Sequence, residues 1–396
     1  MPERSETAQQ VADLLRTARQ SLGVGLAFLS RLDGTVQHLE VVETELHLPD
    51  GTTYPQETSF CQAILDGTLP PVMSDVTQFP IAMALPGAEM GLRSFISVPV
   101  QLSDGSVYGT FCGAGTAADP RLNDRDLALM QVLARAAALV IEPDIRQQRR
   151  NAAIESRLRP LLQRGGPVVL LQPIVDLASG RRVGSEALSR FPQEWDQAPD
   201  ECFADAEWIG ERENLEIAAL RQAAAYLPEV SGYIAMNISQ ATLYTRAGQE
   251  FLAGLPLDRI VLELSEHDRV DDYDRLRAVL APLRAGGMRL AIDDVGAGFS
   301  SLRHIVATSP DVIKLDRSIV DGVAADAVLA VAVHALVELA GAVGAKVVAE
   351  GIETAADATT LPGLGVDLGQ GWHFDRATTA ADLRDEYVLT GALLPR

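Results

Sequence analysis

From Val168 onward one pattern recurs: a short apolar run of strand length, then a stretch with helical periodicity. The runs fall at 168–172, 182–188, 233–237, 259–263, 289–293, 312–316 and 346–350, with a weaker one near 367–370. Helical patterns at 206–227, 272–285 and 324–343 lie between them. About eight strand–helix units over roughly 230 residues is the size of a TIM-type (β/α)8 barrel. Near-continuous apolar strands suit a sheet covered outside by helices and packed inside. The expected class of this half is therefore α/β.

The polar residues of these runs fall in one register. Glu186, Asn237, Glu263, Asp293 and Glu350 each come at or near the C-terminal end of a run, the face where barrel enzymes carry their chemistry. One such residue reads as a helix cap or a solvated turn; five in the same register read as a shared metal site. Asp293 and Asp294 are adjacent, and neighbours on a strand point to opposite faces, so both enter one pocket only if the strand ends there. Two acids at such an exit repel unless a cation sits between them. Oxygen donors without a histidine cluster favour Mg²⁺ or Mn²⁺ over Zn²⁺. His373, near the last run, reads as structural. Lys314, in Val-Ile-Lys-Leu-Asp, is either an ion-pair partner for crowded acids or a cation that positions an attacking water, and its neighbours favour the second. Arg190 has the fork geometry for a phosphate.

At 396 residues the chain is long enough for two domains. The net charge of −21 argues against a nucleic-acid scaffold, which needs a basic footprint. No apolar run is long enough for a bilayer, and Met-Pro-Glu-Arg-Ser-Glu lacks a signal-peptide core, so no membrane association and a cytoplasmic location are expected. Cys61, Cys112 and Cys202 form an odd, scattered set without disulfide or zinc spacing. The N-terminal half predicts a helix over 6–22, strands at 25–30 and 36–42, and a short helix at 59–66. A hairpin, 95–102 with 107–114, and a helix over 123–141 that stops before Pro143 complete an α+β domain with an antiparallel sheet. Residues 144–164 suggest a helical linker, which forms a short parallel coiled coil in a dimer or lies on its own domain. Gly165-Gly166-Pro167 marks a boundary. The expected domains are thus 1–143, a linker at 144–164, and 165–396.

Ser-Phe-Cys-Gln-Ala-Ile-Leu-Asp-Gly (59–67), Val-Met-Ser-Asp (72–75) and the segment 97–112 make the N-terminal half resemble a GAF domain. The resemblance implies a sensor that binds a small molecule or only mediates dimer contacts, without naming a ligand. Cys61 is followed by Gln62 where bilin-attaching cysteines have histidine. It reads as a buried, apolar-like thiol before any redox or chromophore role.

The C-terminal half resembles the EAL family of cyclic dinucleotide phosphodiesterases. The motifs run in order: Gln-Pro-Ile-Val-Asp (172–176), Gly-Ser-Glu-Ala-Leu-Ser-Arg (184–190), Met-Asn-Ile-Ser (236–239), Leu-Glu-Leu-Ser-Glu (262–266), Asp-Asp-Val-Gly-Ala-Gly-Phe-Ser-Ser-Leu (293–302), Ile-Lys-Leu-Asp (313–316), Ala-Glu-Gly-Ile-Glu-Thr (349–354) and Gly-Gln-Gly (369–371). This resemblance implies hydrolysis of cyclic di-GMP to linear pGpG, with two divalent ions. It implies that Glu186, Asn237, Glu263 and Asp293 hold one ion, and that Asp293, Asp294 and Glu350 hold the second. Lys314 would orient the water, Glu266 would hold the 293–299 loop, and Glu353 and Gln370 would support the site. Gln172, Leu188, Arg190 and Asp316 would meet the substrate, and the chain would form a homodimer. Val295 stands where phenylalanine is usual, Ala297 where threonine is common and Ala377 where proline is usual, which touches loop coupling more than ligands. A non-catalytic receptor for the dinucleotide is the alternative; an enolase-like barrel fits the motif order less well.

Overall fold

The structure, a computed structural model, describes residues 4–44, 48–265, 270, 272–296 and 301–387. Its first helix, Glu6–Leu22, starts where Ser5 accepts a hydrogen bond from Ala8 N and ends at Gly23, whose φ of 67° turns the chain out of the helix. Val11, Leu15, Ala18 and Leu22 bury one face of it. A six-stranded antiparallel sheet follows, with strands β1 (Leu26–Leu32), β2 (Val36–Thr44), β3 (Thr52–Pro55), β4 (Val72–Met73), β5 (Ser94–Gln101) and β6 (Val107–Gly115) in the order β3-β2-β1-β6-β5-β4. Alternation along β1 feeds two cores. Ala27 and Leu29 pack with the first helix and with Met130, Ala134 and Ala137. Leu26 and Phe28 pack on the other face with Phe60, Cys61 and Phe95.

The helix expected to stop before Pro143 runs on as Asp124–Gln163. The proline lacks the N–H that would reach the Leu139 carbonyl. Leu139 is 74% exposed, so water can take that carbonyl and the break is not forced. The chain divides into two compact units, Met1–Arg150 and Asn151–Arg396. Within the second unit, Leu158 and Leu161 are buried against Ala206 and Leu215. The linker side chains that suggested a coiled-coil seam are therefore covered within one chain.

Eight strands close the second unit into a barrel: β7 (Val168–Asp176), β8 (Arg182–Arg190), β9 (Tyr233–Asn237), β10 (Ile260–Ser265), β11 (Arg289–Val295), β12 (Val312–Leu315), β13 (Lys346–Ala349) and β14 (Leu368–Gly369). The α/β barrel is thus as expected, with one departure from eight strand–helix repeats. β7 is antiparallel to both neighbours, β8 and β14, because a tight turn and not a helix joins it to β8. The helical stretch at 206–227 is two helices, Pro199–Trp208 and Arg212–Ala225, separated at Gly210, whose φ is 78°.

The barrel interior is layered by the period of two along each strand. Ile174, Tyr233, Ala235, Val261, Ala291, Val312, Val348 and Leu368 form one apolar cluster. Glu263, Asp293, Lys314, Glu350 and Gln370 each lie two residues beyond a member of that cluster, as does Asn237 beyond Ala235. On reversed β7, Gln172 precedes Ile174 by two. Local alternation thus stacks a polar ring on an apolar plug.

Candidate active site

Lys314 stands at the centre of that ring. Its ammonium, on a side chain 1% exposed, lies 3.0 Å from Glu263 Oε1, 3.1 Å from Asp293 Oδ2, 3.4 Å from Glu186 Oε2 and 2.8 Å from Glu350 Oε1. Asn237 Nδ2 donates to Glu186 Oε1 and Glu263 Oε2, both at 3.2 Å. Gln370 Nε2 donates to Glu186 and, at 3.0 Å, to Gln172 Oε1. Gln172 in turn donates to the Asp375 carbonyl.

Asp293 and Asp294 are not separated by the end of β11, which continues to Val295. The pairing with β12 shifts register between Ile292 and Val295, and Asp294 takes φ 60°. Such an irregularity breaks the up–down alternation. Asp293, Asp294 and Glu350 consequently bring carboxylate oxygens within 4.8 Å of one another. Glu186, Glu263 and Asp293 make a second such group, and Asp293 belongs to both. A left-handed non-glycine residue is strained by about 1 kcal/mol or more, and here that strain falls on the residue that brings a carboxylate beside Asp293 and Glu350.

The electrostatics follow from crowding acids out of water. Burial alone would raise Glu186, but Lys314 and the hydrogen bonds from Gln370 and Asn237 outweigh it and hold its pKa below the ordinary value. Burial lifts Glu263 and Glu350 well above the carboxylate range; Lys314 offsets this in part, and neighbouring acids add to it. Burial opposes the Lys314 charge, yet the four carboxylates overcome it and raise its pKa well above normal. One ammonium among four acids, three of them buried and Glu350 partly so, leaves excess negative charge, and the donors are all oxygen. Gln370 Oε1 is buried without a hydrogen-bond partner among the described residues. This set fits hard divalent cations, whose arrival displaces protons from raised carboxylates.

Not every expected residue joins the ring. Glu353 pairs with Arg317 at 2.8 Å, and Asp316 caps the short helix Arg317–Val320 by accepting from Ser318 N. Glu266 lies outside the described residues. Leu188 and Arg190 follow Glu186 on the same strand face and line a cavity of about 400 Å³ that reaches Asn237. Its far wall was not anticipated. There Glu216 is buried, accepts from Arg212 Nε at 2.7 Å and holds Ser239 through both N and Oγ. Of these only Ser239 lay inside a recognisable motif; Arg212 and Glu216 read as an ordinary i,i+4 helix pair.

Residues 155–377 match the EAL domain family model, and residues 5–142 match a GAF domain model. The chain belongs to the EAL domain family. Among its relatives is the probable cyclic di-GMP phosphodiesterase PdeB of Escherichia coli K12, 30% identical over 270 residues that cover 65% of this chain and 51% of PdeB. The EAL chain therefore spans about half the length of that relative. An uncharacterized protein of Mycobacterium tuberculosis H37Rv is 30% identical over 267 residues, 61% of this chain and 87% of that protein. Among solved structures, a PaMucR phosphodiesterase in complex with c-di-GMP is 30% identical with a TM-score of 0.50, covering 58% of this chain and 98% of that one. The cAMP-bound EAL enzyme Bd1971 shares the fold at 19% identity, with a TM-score of 0.52 over 90% of this chain and 91% of that one. Among the described residues no helix is long and apolar enough to cross a membrane.

Proposed function

We propose that this chain hydrolyses cyclic di-GMP to linear pGpG with two divalent cations, Mg²⁺ or Mn²⁺, and that its GAF unit tunes the rate. The observation that carries the reading is the convergence of two overlapping carboxylate groups, joined through Asp293, beside a cavity lined by Arg190. Glu186, Asn237, Glu263 and Asp293 would hold one cation, and Asp293, Asp294 and Glu350 the other. When bound, such a pair lowers the pKa of water and neutralises charge on the attacking and leaving oxygens of a phosphodiester.

The remaining residues do the positioning. Lys314 holds the carboxylates in one geometry and offers an ammonium to an attacking water. Asn237 and Gln370 fix the Glu186 orientation through its two oxygens. Arg190 and Leu188 supply a phosphate contact and an apolar wall for the substrate. Gln172 steadies Gln370, while Glu353 and Asp316 act through the loops they anchor.

Incubating the purified chain with cyclic di-GMP and Mg²⁺ or Mn²⁺, then separating products, tests the reading. Linear pGpG that disappears in Glu186→Ala supports it. Tight binding without product replaces it with the receptor.

A further inference from the structure

The N-terminal unit carries a group of reactive side chains that the barrel chemistry does not use. On the sheet face opposite helix Glu6–Leu22, a cavity of about 270 Å³ is lined chiefly by apolar side chains, Phe28, Leu39, Phe60 and Phe95 among them. Cys61, in the first turn of helix Phe60–Leu65, also lines it. Cys112, from the middle of β6, is fully buried with its sulfur 3.5 Å from that of Cys61. Both are free thiols.

Their surroundings are not those of space-filling cysteines. Gln37 Nε2 donates to Cys61 Sγ at 3.1 Å, and Ser97 Oγ and Thr110 Oγ1 each lie 3.2 Å from Cys112 Sγ. All three of these polar residues are almost completely buried. Burying an amide and two hydroxyls is costly unless partners are supplied, and here the sulfurs are among the partners.

We propose that Cys61 and Cys112 form a redox-active dithiol that an organic hydroperoxide, admitted through the apolar cavity, oxidises to a disulfide. Cys61 sulfur attacks the distal peroxide oxygen; the O–O bond breaks, a proton goes to the departing alkoxide, and an alcohol leaves. Cys61 is then a sulfenic acid. Cys112 sulfur displaces its hydroxyl, which leaves as water with the Cys112 proton. Two thiols lose two electrons and the peroxide gains two. Cys61 lines the cavity, whereas Cys112 is fully buried and is not among its lining residues, which assigns attack to Cys61 and resolution to Cys112. Bond formation requires the sulfurs to close from 3.5 Å to about 2.05 Å. The lining selects an alkyl or aryl peroxide over hydrogen peroxide.

The test exposes the full-length reduced chain to cumene hydroperoxide and, separately, to hydrogen peroxide, followed by intact mass and peptide mapping. The expected result is loss of two hydrogens, a Cys61–Cys112 linked peptide, and Cys202 still reduced in the same sample. Cumene hydroperoxide should react faster. Cys112→Ser should stop at a Cys61 sulfenic acid that dimedone traps. Met90 lines the cavity and is 56% exposed, so Met90→Trp narrows the mouth without disturbing the core. It should slow cumene hydroperoxide about tenfold and spare hydrogen peroxide. The proposal is overturned if both thiols remain reduced after Cys202 has reacted, or if hydrogen peroxide is the faster oxidant of the wild-type chain; neither readout depends on a variant folding.

Discussion

Replacing Lys314 by methionine removes one charge while keeping nearly the same volume at a site 1% exposed. At an effective dielectric of about 20, an ammonium and a carboxylate about 3 Å apart attract by about 5 kcal/mol. Two carboxylates at the 4.8 Å limit repel by about 3.5 kcal/mol on the same basis. With Lys314 present its attractions to Glu186 and Asp293 exceed the repulsion between those two; without it only repulsion remains. The protein escapes most of that by taking up protons, which leaves a net loss of about 3–5 kcal/mol, as for other buried ion pairs broken on one side. All three tryptophans, Trp195, Trp208 and Trp372, belong to the barrel unit, so tryptophan fluorescence in urea reports that unit alone. In EDTA the Lys314→Met midpoint should fall by about 1–2 M urea relative to wild type. Millimolar Mg²⁺ should restore most of the stability without restoring hydrolysis. An unchanged midpoint in EDTA means that the ammonium does not hold these acids together, and the electrostatic account of the site fails.

Three further outcomes are expected. Glu186→Gln should weaken Mn²⁺ binding by about 10–100-fold or more, read by calorimetry, with a smaller effect on folding than Glu186→Ala because the amide still packs beside Gln370. Asp294→Gly should abolish hydrolysis yet keep the urea midpoint, whereas Asp294→Val should lose about 1–2 kcal/mol more, because only glycine accepts φ 60° without strain. In EDTA, barrel stability should fall as pH rises above the ordinary glutamate value of 4.5. Glu263 and Glu350 have raised folded pKa values, so the folded state holds more protons than the unfolded chain, and that stabilisation is lost as pH climbs through them. Glu186 acts in the opposite sense, but its lowered pKa confines it to more acid pH. A flat or rising profile between about pH 5 and 8 contradicts the assignment of raised values to this pair.

Much of this protein was legible in one dimension because the relevant signals are local. Strand length, the period of two and the recurrence of Glu186, Asn237, Glu263, Asp293 and Glu350 at one register specified a barrel with an oxygen-lined mouth, and apolar residues at helical spacing marked the first helix over 6–22. Where the structure departs from expectation, the cause is either local exposure and backbone conformation or a segment far along the chain. Pro143 was tolerated because Leu139 faces water, and the helix expected through 206–227 breaks at Gly210. Asp316 and Glu353 lie outside the ring, Asp316 capping a short helix and Glu353 pairing with Arg317, and their motifs along the chain do not show this. The adjacent acids Asp293 and Asp294 share a site only because pairing with β12 slips and one residue turns left-handed. Cys61 and Cys112 lie 51 residues apart in a set without disulfide spacing; closure of the sheet sets their sulfurs 3.5 Å apart. Spacing along the chain dictates which face a side chain leaves from, but the charge, sulfur or solvent it meets is set by segments far away in sequence, and only packing brings those together.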